Sequence, residues 1–372
     1  MIDFEKIYRI TPDHDLDLSW SIKKAEKALH EKAYSLTDKM SPLGPEHINE
    51  YYSNGDYWWP DPDKADGLPY IRRDGYSNPD NFTYHRTALR KTRTSIAHLA
   101  RAYKETKDEK YAAKAVELLK VFFIDKKTAM IPHLMFAQAI PGLYTGRGIG
   151  IIDTLPLVDI PFAISALNGS AALGEDVKEA MVRWFEAYLK WMTTHQYGID
   201  EQNEANNHSI CYFVQAAVFS LFTDNSGILD WCRDVFISRL IKQMSRDGAF
   251  PKELARTKPY GYAMLVLDNF TILCHVLSDK NNDLWEYEDS EGRSIKKAVS
   301  FLLPYLLDKN TWPYPKDVMH YPDYPSRMSF MLFAGYSLGI QELIDLYRSL
   351  PDESANDEVR RNTTIRQPFL WL

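Results

Sequence analysis

The sequence predicts a mostly α-helical chain whose helices stack as hairpins and close into an irregular ring. Three observations predict it. Apolar residues recur at helical spacing from Ser95 to about residue 349, strand-like alternation is scarce with no β-α-β rhythm, and no repeat of fixed period supports a regular solenoid. The 372 residues are 45 % hydrophobic and 13 % aromatic, enough to bury a large core, which excludes a disordered chain. No composition shift marks a linker, so residues 1–372 read as a single domain.

Taken in order, Ile96, Leu99 and Tyr103 share one helical stripe, and Tyr111, Ala115, Leu118, Leu119 and Phe122 share the next. Val177, Met181, Trp184, Phe185, Tyr188, Leu189 and Met192 form one apolar face over about four turns. Further helical patterns cover roughly 157–172, 208–223, 227–245, 262–278, 294–306 and 327–349. Two stretches interrupt the period. Residues 41–82 are rich in Pro, Gly, Asp and aromatics, and 307–327 carry Pro313, Pro315, Pro322 and Pro325 among several Tyr. Long irregular loops in a compact domain are functional or disordered, and Tyr57, Trp58, Trp59 and Tyr70 argue against disorder in the first.

Charge and cysteine content narrow the function. Against 51 acidic residues stand 44 basic ones, a formal net charge of −7, which argues against nucleic acid as the main partner while leaving room for a local basic cleft. Cys211, Cys232 and Cys274 are too few and too dispersed for a disulfide framework or a zinc site, and read as small buried residues. No metal or other cofactor is expected. The longest near-apolar run, Ile210 to Phe222, contains Gln215 and is too short to cross a bilayer, so no membrane role is expected. Met1 to Ile10 shows no signal peptide. His-Glu-x-x-His, P-loop, Gly-x-Ser-x-Gly and EF-hand patterns are absent.

Four constellations could carry chemistry. Asn206-Asn207-His208-Ser209 leads into an apolar helix; one Asn serves as a cap, while a neighbouring His and Asn offer a base and an amide donor. Glu253 to Tyr262 precedes another helix, where Arg256 could grip a carboxylate and Tyr262 could supply a proton, unless Arg256 merely pairs with Glu253. Tyr57-Trp58-Trp59 with Arg72 and Arg73 suits pyranose rings that carry acids, or else forms a loop pinned by buried Trp. Gln138 and Gly146-Arg147-Gly148-Ile149-Gly150 only superficially look like a dinucleotide loop, since no strand-turn-helix surrounds them; a tight loop bringing Gln138 or Arg147 to a cleft is the better reading.

Together the segments resemble the alginate-lyase superfamily of polysaccharide lyases. The resemblance rests on Tyr57-Trp58-Trp59-Pro60-Asp61-Pro62, Gly67 to Gly75, Asn78-Pro79, Ala137-Gln138 with Pro141-Gly142, Gly146 to Gly150, Asn206-Asn207-His208 and Glu253 to Thr257, in the family's order over roughly residues 40–270. It implies an all-α, incomplete (α/α) toroid and β-elimination on an anionic 1,4-linked polyuronate, alginate first and glucuronan second. By the same resemblance Asn207 and Arg256 neutralise the sugar carboxylate, His208 is the base or a second neutralising donor, and Tyr262 protonates the departing O4. Tyr260 is a rival for Tyr262 and a candidate for substrate contact, with Tyr57, Trp58, Trp59, Arg72, Arg73, Gln138 and Arg147. Family members are mostly exported, so a periplasmic or secreted enzyme is expected, and a cytoplasmic one if the chain is full length. Two other readings stay open: a hydrolase using a carboxylate pair among Asp56, Asp61, Asp153 and Glu204, and a non-catalytic sugar-binding protein using Trp58 and Trp59.

Overall fold

The computed structural model describes Ile2, Ile10, Leu16 and residues 18–372, and divides into two compact units. The first spans Leu18–Asn203. Its elements are α1 (Leu18–Leu29), β1 (Tyr52–Asn54), β2 (Trp58–Trp59), β3 (Ile71–Arg72), α2 (Tyr84–Thr106), α3 (Glu109–Leu119), β4 (Phe136–Ala139), a 3₁₀ stretch Gly148–Val158, α4 (Asp159–Ala166), α5 (Glu175–Thr194) and α6 (Gln196–Gln202). Helices α1, α3 and α4 pack on α2. Asp108, accepting from the Lys110 backbone N–H, caps α3 and separates it from α2.

Arginines organise this unit. Arg86, Arg93 and Arg101 recur at seven- and eight-residue spacing, so they share one face of α2, and all three are buried. Each meets a carboxylate: Arg86 meets Asp153 and Asp56, Arg93 meets Asp159 at 2.9 Å, and Arg101 meets Glu105 at 2.5 Å. A buried guanidinium stripped of its partner is destabilising by about 3–5 kcal/mol, so the Arg86 and Arg93 pairs fix which segments lie on α2, while the Arg101–Glu105 pair stays within the helix. The irregular stretch 41–82 is ordered into short strands: β1 runs parallel to β4, and β2 pairs antiparallel with β3, Trp58 opposite Arg72 and Trp59 opposite Ile71.

The second unit contains Glu204–Leu372. Its helices are α7 (Asn207–Phe222), α8 (Ser226–Ser238), α9 (Pro251–Leu254), α10 (Pro259–Leu277), α11 (Ile295–Leu307), α12 (Ser329–Leu338), α13 (Gln341–Ser349) and α14 (Asp357–Arg361). Helix α10 is the centre, packed by α7, α9, α11 and α12. Buried on nearly all sides, it is a core helix rather than an amphipathic surface one. The expected pattern over 227–245 ends as a helix at Ser238 and continues as a 3₁₀ turn, Leu240–Gln243. The pattern over 327–349 is broken by Gly339, whose φ of +67° closes α12 in the left-handed region that glycine adopts without strain. All three cysteines are free and buried, as expected.

Two stretches, Gly148–Ala166 and Pro259–Leu277, are long and apolar enough to span a bilayer, longer than the Ile210–Phe222 run picked out from the sequence. Both are mostly buried inside the protein, and the first carries Asp153 and Asp159, the partners of Arg86 and Arg93. They are core segments.

Buried Asp268 on α10 ties α12 in place. Its Oδ1 accepts from Ser329 Oγ at 2.6 Å and from the Phe330 N–H at 2.8 Å, while Oδ2 has no partner among the described residues. Burial raises its pKa to about 6 despite those donors. Because the folded value lies above the unfolded one, this group's stabilising contribution is complete below about pH 4 and is lost as pH rises through 6. The difference is on the order of 3 kcal/mol. Asp268→Asn keeps the acceptor and cannot ionise, so its thermal midpoint relative to wild type should be higher at pH 8 than near pH 3.5, where the wild-type carboxyl is protonated in both states. Parallel Tm curves for the two proteins across that range would contradict this account.

Candidate active site

Two core helices of the second unit each open at a single residue. In α7 every residue is buried except His208, and in α10 every residue is buried except Tyr262. Both openings lie within the first four residues of their helices, close to the N–H groups that have no intrahelical acceptor. Asn206 caps α7 by accepting the His208 N–H at 2.9 Å, as its place before the apolar run predicts. Asn207, 2 % exposed, donates its backbone N–H to Glu253 Oε1 at 2.7 Å and its side-chain Nδ2–H to Oε2 at 2.8 Å. Glu253 lies on α9, three residues before Arg256, so this bidentate contact ties the start of α7 to the segment that carries the arginine.

Arg256 lies over the ring of Tyr262, its guanidinium carbon 4.5 Å from the ring centre, and donates Nη2–H to the phenol oxygen at 3.2 Å. Glu253 is therefore not the simple ion-pair partner of Arg256; its two oxygens serve Asn207. The structure brings Asn207, His208, Arg256 and Tyr262 onto adjoining segments of one unit. Lys258, between Arg256 and Tyr262, is buried and held by Glu358 at 2.5 Å, and Glu358 also meets His320 Nε2 at 3.2 Å. The backbone N–H of Val318 bonds the Thr257 carbonyl at 3.0 Å. The loop after α11 and the C-terminal helix α14 thus brace the arginine–tyrosine segment.

Tyr260 requires a correction. It is fully buried and donates its hydroxyl to the Tyr305 carbonyl at 2.9 Å, with its ring edge-on to Trp312 and Tyr321. Burial pushes its phenol far above the ordinary range. It is a core residue, neither a rival proton donor nor a substrate contact. Asp317 completes this end of α10 by accepting the Tyr260 and Gly261 N–H groups at 2.8 and 2.9 Å. A methyl group on Gly261 would meet Asp317 Oδ2 at 3.0 Å and Tyr324 at 3.1 Å, so this close approach favours glycine.

The first unit carries the remaining candidates. Trp58 and Trp59 are half-buried on β2; Arg147 lies over Trp58 at 5.8 Å and Arg73 over Trp59 at 5.1 Å. Tyr57 accepts the Arg73 N–H through its carbonyl at 2.8 Å, and exposed Arg72 pairs with Asp74 at 2.7 Å. Arg147 is gripped by Gln138, donating Nε–H to its carbonyl at 2.9 Å and Nη2–H to Oε1 at 3.3 Å. Burial, with Arg72 nearby, lowers its pKa to about 10. Gln138 adopts φ +50° and donates Nε2–H to Asp153, so it orients Arg147 rather than standing free. The glycines around it serve close packing: a methyl on Gly146 would lie 1.9 Å from the Met135 carbonyl oxygen, and one on Gly150 would lie 2.5 Å from Ala137 Cβ.

Sequence reasoning missed the residues that hold the candidates in place: Glu253, Asp317, Glu358, Arg86 and Ser53. Their partners lie far along the chain, and only Glu253, inside a quoted segment, left a local signal. Two carboxylates considered for a hydrolase are already engaged. Asp153 is buried and accepts from Tyr51, Ser53, Arg86 and Gln138, and Asp56 is paired with Arg86.

Comparison with known proteins places this geometry in context. Residues 35–312 match the family model described as alginate lyase. An alginate lyase structure from Bacteroides ovatus superposes with a TM-score of 0.84 at 32 % identity, covering 95 % of this chain and 92 % of that one. Alginate lyase A1-III from Sphingomonas species A1 gives 0.58 at 16 % identity, covering 90 % of each chain. A tyrosine-to-phenylalanine variant of alginate lyase A1-III, complexed with a tetrasaccharide, gives 0.55 at 16 % identity, covering 87 % of this chain and 86 % of that one. The last two share the fold. The all-α fold class expected from the sequence is the class of these structures. No curated protein matches the sequence.

The two tyrosines are separable by substitution. Tyr260→Phe removes a buried hydroxyl bond and should lower stability by about 1–2 kcal/mol, read in a denaturant melt, while turnover stays within about threefold of wild type. A loss of turnover without a loss of stability would return Tyr260 to the site.

Proposed function

The chain belongs to the alginate lyase family of polysaccharide lyases, and from that premise we propose that it cleaves 1,4-linked polyuronate, alginate before glucuronan, by β-elimination at the mouths of α7 and α10. The observation that carries the reading is that His208 and Tyr262 are the single openings in two otherwise buried helices, with Asn207 and Arg256 beside them.

The chemistry needs these groups. The hydrogen on C5 of a uronate becomes removable only as the charge moving onto the adjacent carboxylate is met by donors. The Asn207 amide and the Arg256 guanidinium are those donors, and one such donor contributes about 3 kcal/mol to the transition state. His208 takes the C5 proton or acts as a third donor. The C5–H electron pair becomes the C4=C5 double bond, the C4–O4 bond breaks, and O4 leaves with a proton from Tyr262. In a syn route an ionised Tyr262 removes the C5 proton and passes it to O4, closing the proton balance on one residue. The Arg256 N–H at the phenol oxygen supports that route, because a donor there favours negative charge on it.

In the first unit, the Trp58–Arg147 and Trp59–Arg73 pairs supply aromatic faces with cations for sugar rings that carry acids. Arg147, at about 10, keeps its charge at neutral pH. A polymeric substrate is met outside the cell membrane, so periplasmic or secreted action goes with this reading.

Incubation with mannuronan, guluronan and glucuronan, followed by the ultraviolet absorbance of unsaturated uronate, tests the activity. His208→Ala and Tyr262→Phe should each lose about 100-fold or more in kcat, and wild-type turnover in both would overturn the assignment. Arg147→Met should raise KM about tenfold while kcat moves less than about threefold, the pattern of lost uniform binding. An unchanged KM would remove Arg147 from the binding surface.

A further inference from the structure

We infer that Glu253 is a positioning residue for the elimination: it sets which edge of the Asn207 carboxamide faces the sugar. The inference rests on the lyase reading above and deepens it.

An asparagine side chain has a donor edge and an acceptor edge of nearly equal shape, and a half-turn about its last torsion exchanges them. For a residue that must neutralise a uronate, only the donor edge is useful, since the carboxamide oxygen would repel the substrate carboxylate. Something must therefore fix the turn. Glu253 does so through both its oxygens. Oε1 accepts the Asn207 backbone N–H at 2.7 Å, a donor that cannot rotate away, and this leaves Oε2 facing the Asn207 side chain. An acceptor at that place admits the nitrogen and excludes the oxygen, and Nδ2 is found there at 2.8 Å. One of the two Nδ2 hydrogens is engaged, and the other remains for the substrate. Asn207 and Glu253 are each 2 % exposed, so water does not compete for either contact.

The backbone of the same residue also holds the neighbouring group. Arg256 donates its backbone N–H to the Glu253 carbonyl at 3.1 Å, so the turn that aims the carboxylate at Asn207 also starts the segment carrying the guanidinium. With both carboxylate oxygens on Asn207, Glu253 acts through that residue.

Glu253→Gln tests the idea with little change in size. Glutamine keeps one acceptor for the Asn207 backbone N–H, and its own N–H₂ then faces the Asn207 side chain. Two donors in opposition force the Asn207 amide to turn, presenting oxygen where nitrogen stood. We compare wild type, Glu253→Gln, Asn207→Ala and the double variant for kcat and KM on alginate, with thermal midpoints for all four. The expected result is a kcat loss of about 100-fold in Glu253→Gln, a similar loss in Asn207→Ala, and a double variant within about threefold of Asn207→Ala, with KM changing less than kcat. A residue that merely holds the fold together would instead lower kcat by the same factor in both backgrounds, and that multiplicative result overturns the inference. So does wild-type turnover in Glu253→Gln, or a loss there while Asn207→Ala stays fully active. Failure of the lyase reading looks different: the wild-type protein releases no unsaturated product, and the positioning role falls with it.

Discussion

Burying an apolar helix creates a debt at its start, because the first N–H groups have no partner within the helix. The second unit meets this constraint with carboxylates from elsewhere in the chain. Glu253 accepts the first N–H of α7, Asp317 accepts two at the start of α10, and Asp268 accepts the Phe330 N–H at the start of α12. Each contact joins segments 46 to 62 residues apart, so the groups that satisfy the helix starts also specify the tertiary arrangement. The candidate chemistry sits where this problem is solved. A helix mouth already gathers N–H donors and polar side chains, and its dipole favours negative charge, which is what a uronate carboxylate brings.

The first unit answers a related constraint with a cation. Arg86 donates to Asp153, Asp56 and the Asn54 carbonyl, so a single buried guanidinium ties α2 to the segment after β1 and to the 3₁₀ stretch. That segment leads directly to Trp58. Gly55 makes the fit possible: a methyl there would lie 2.6 Å from the Trp58 ring and 2.9 Å from Arg147. The aromatic platform is thus placed by a hydrogen-bond network beside it as well as by the packing of its own rings.

How much of this could be read in the sequence depended on whether the deciding interaction was local. Helical periodicity is local, so α2, α3, α5, α7, α10 and α11 were visible from their apolar spacing. The cap at Asn206 was visible for the same reason. Short α6 and α14 were not, since seven and five residues give too little period to register. Tyr260 and Tyr262 show the limit within a site. Both precede an apolar run, two residues apart, and spacing alone could not choose between them. On a helix two residues turn through about 200°, so one faces the core and the other does not. Which one does depends on Trp312 and Tyr321, some fifty to sixty residues further on. Glu253 was invisible as a partner of Asn207 because 46 residues separate them.

A chain with net charge −7 that binds a polyanion looks contradictory only if charge is summed over the surface. What a sugar carboxylate meets is local, and near the candidate residues many of the acids are already neutralised by partners of their own. Asp56 and Asp153 share Arg86, Asp74 answers Arg72, Glu358 answers Lys258, and Glu253 holds two N–H donors. Arg147 lies over an aromatic face and is bound to a neutral amide, and among the described residues no carboxylate forms an ion pair with it. Holding a cation by neutral acceptors and rings leaves its field directed outward, whereas holding it by a carboxylate would quench it. The acids of this protein build the scaffold, and Arg147, held by an amide and a ring, keeps its field for the substrate.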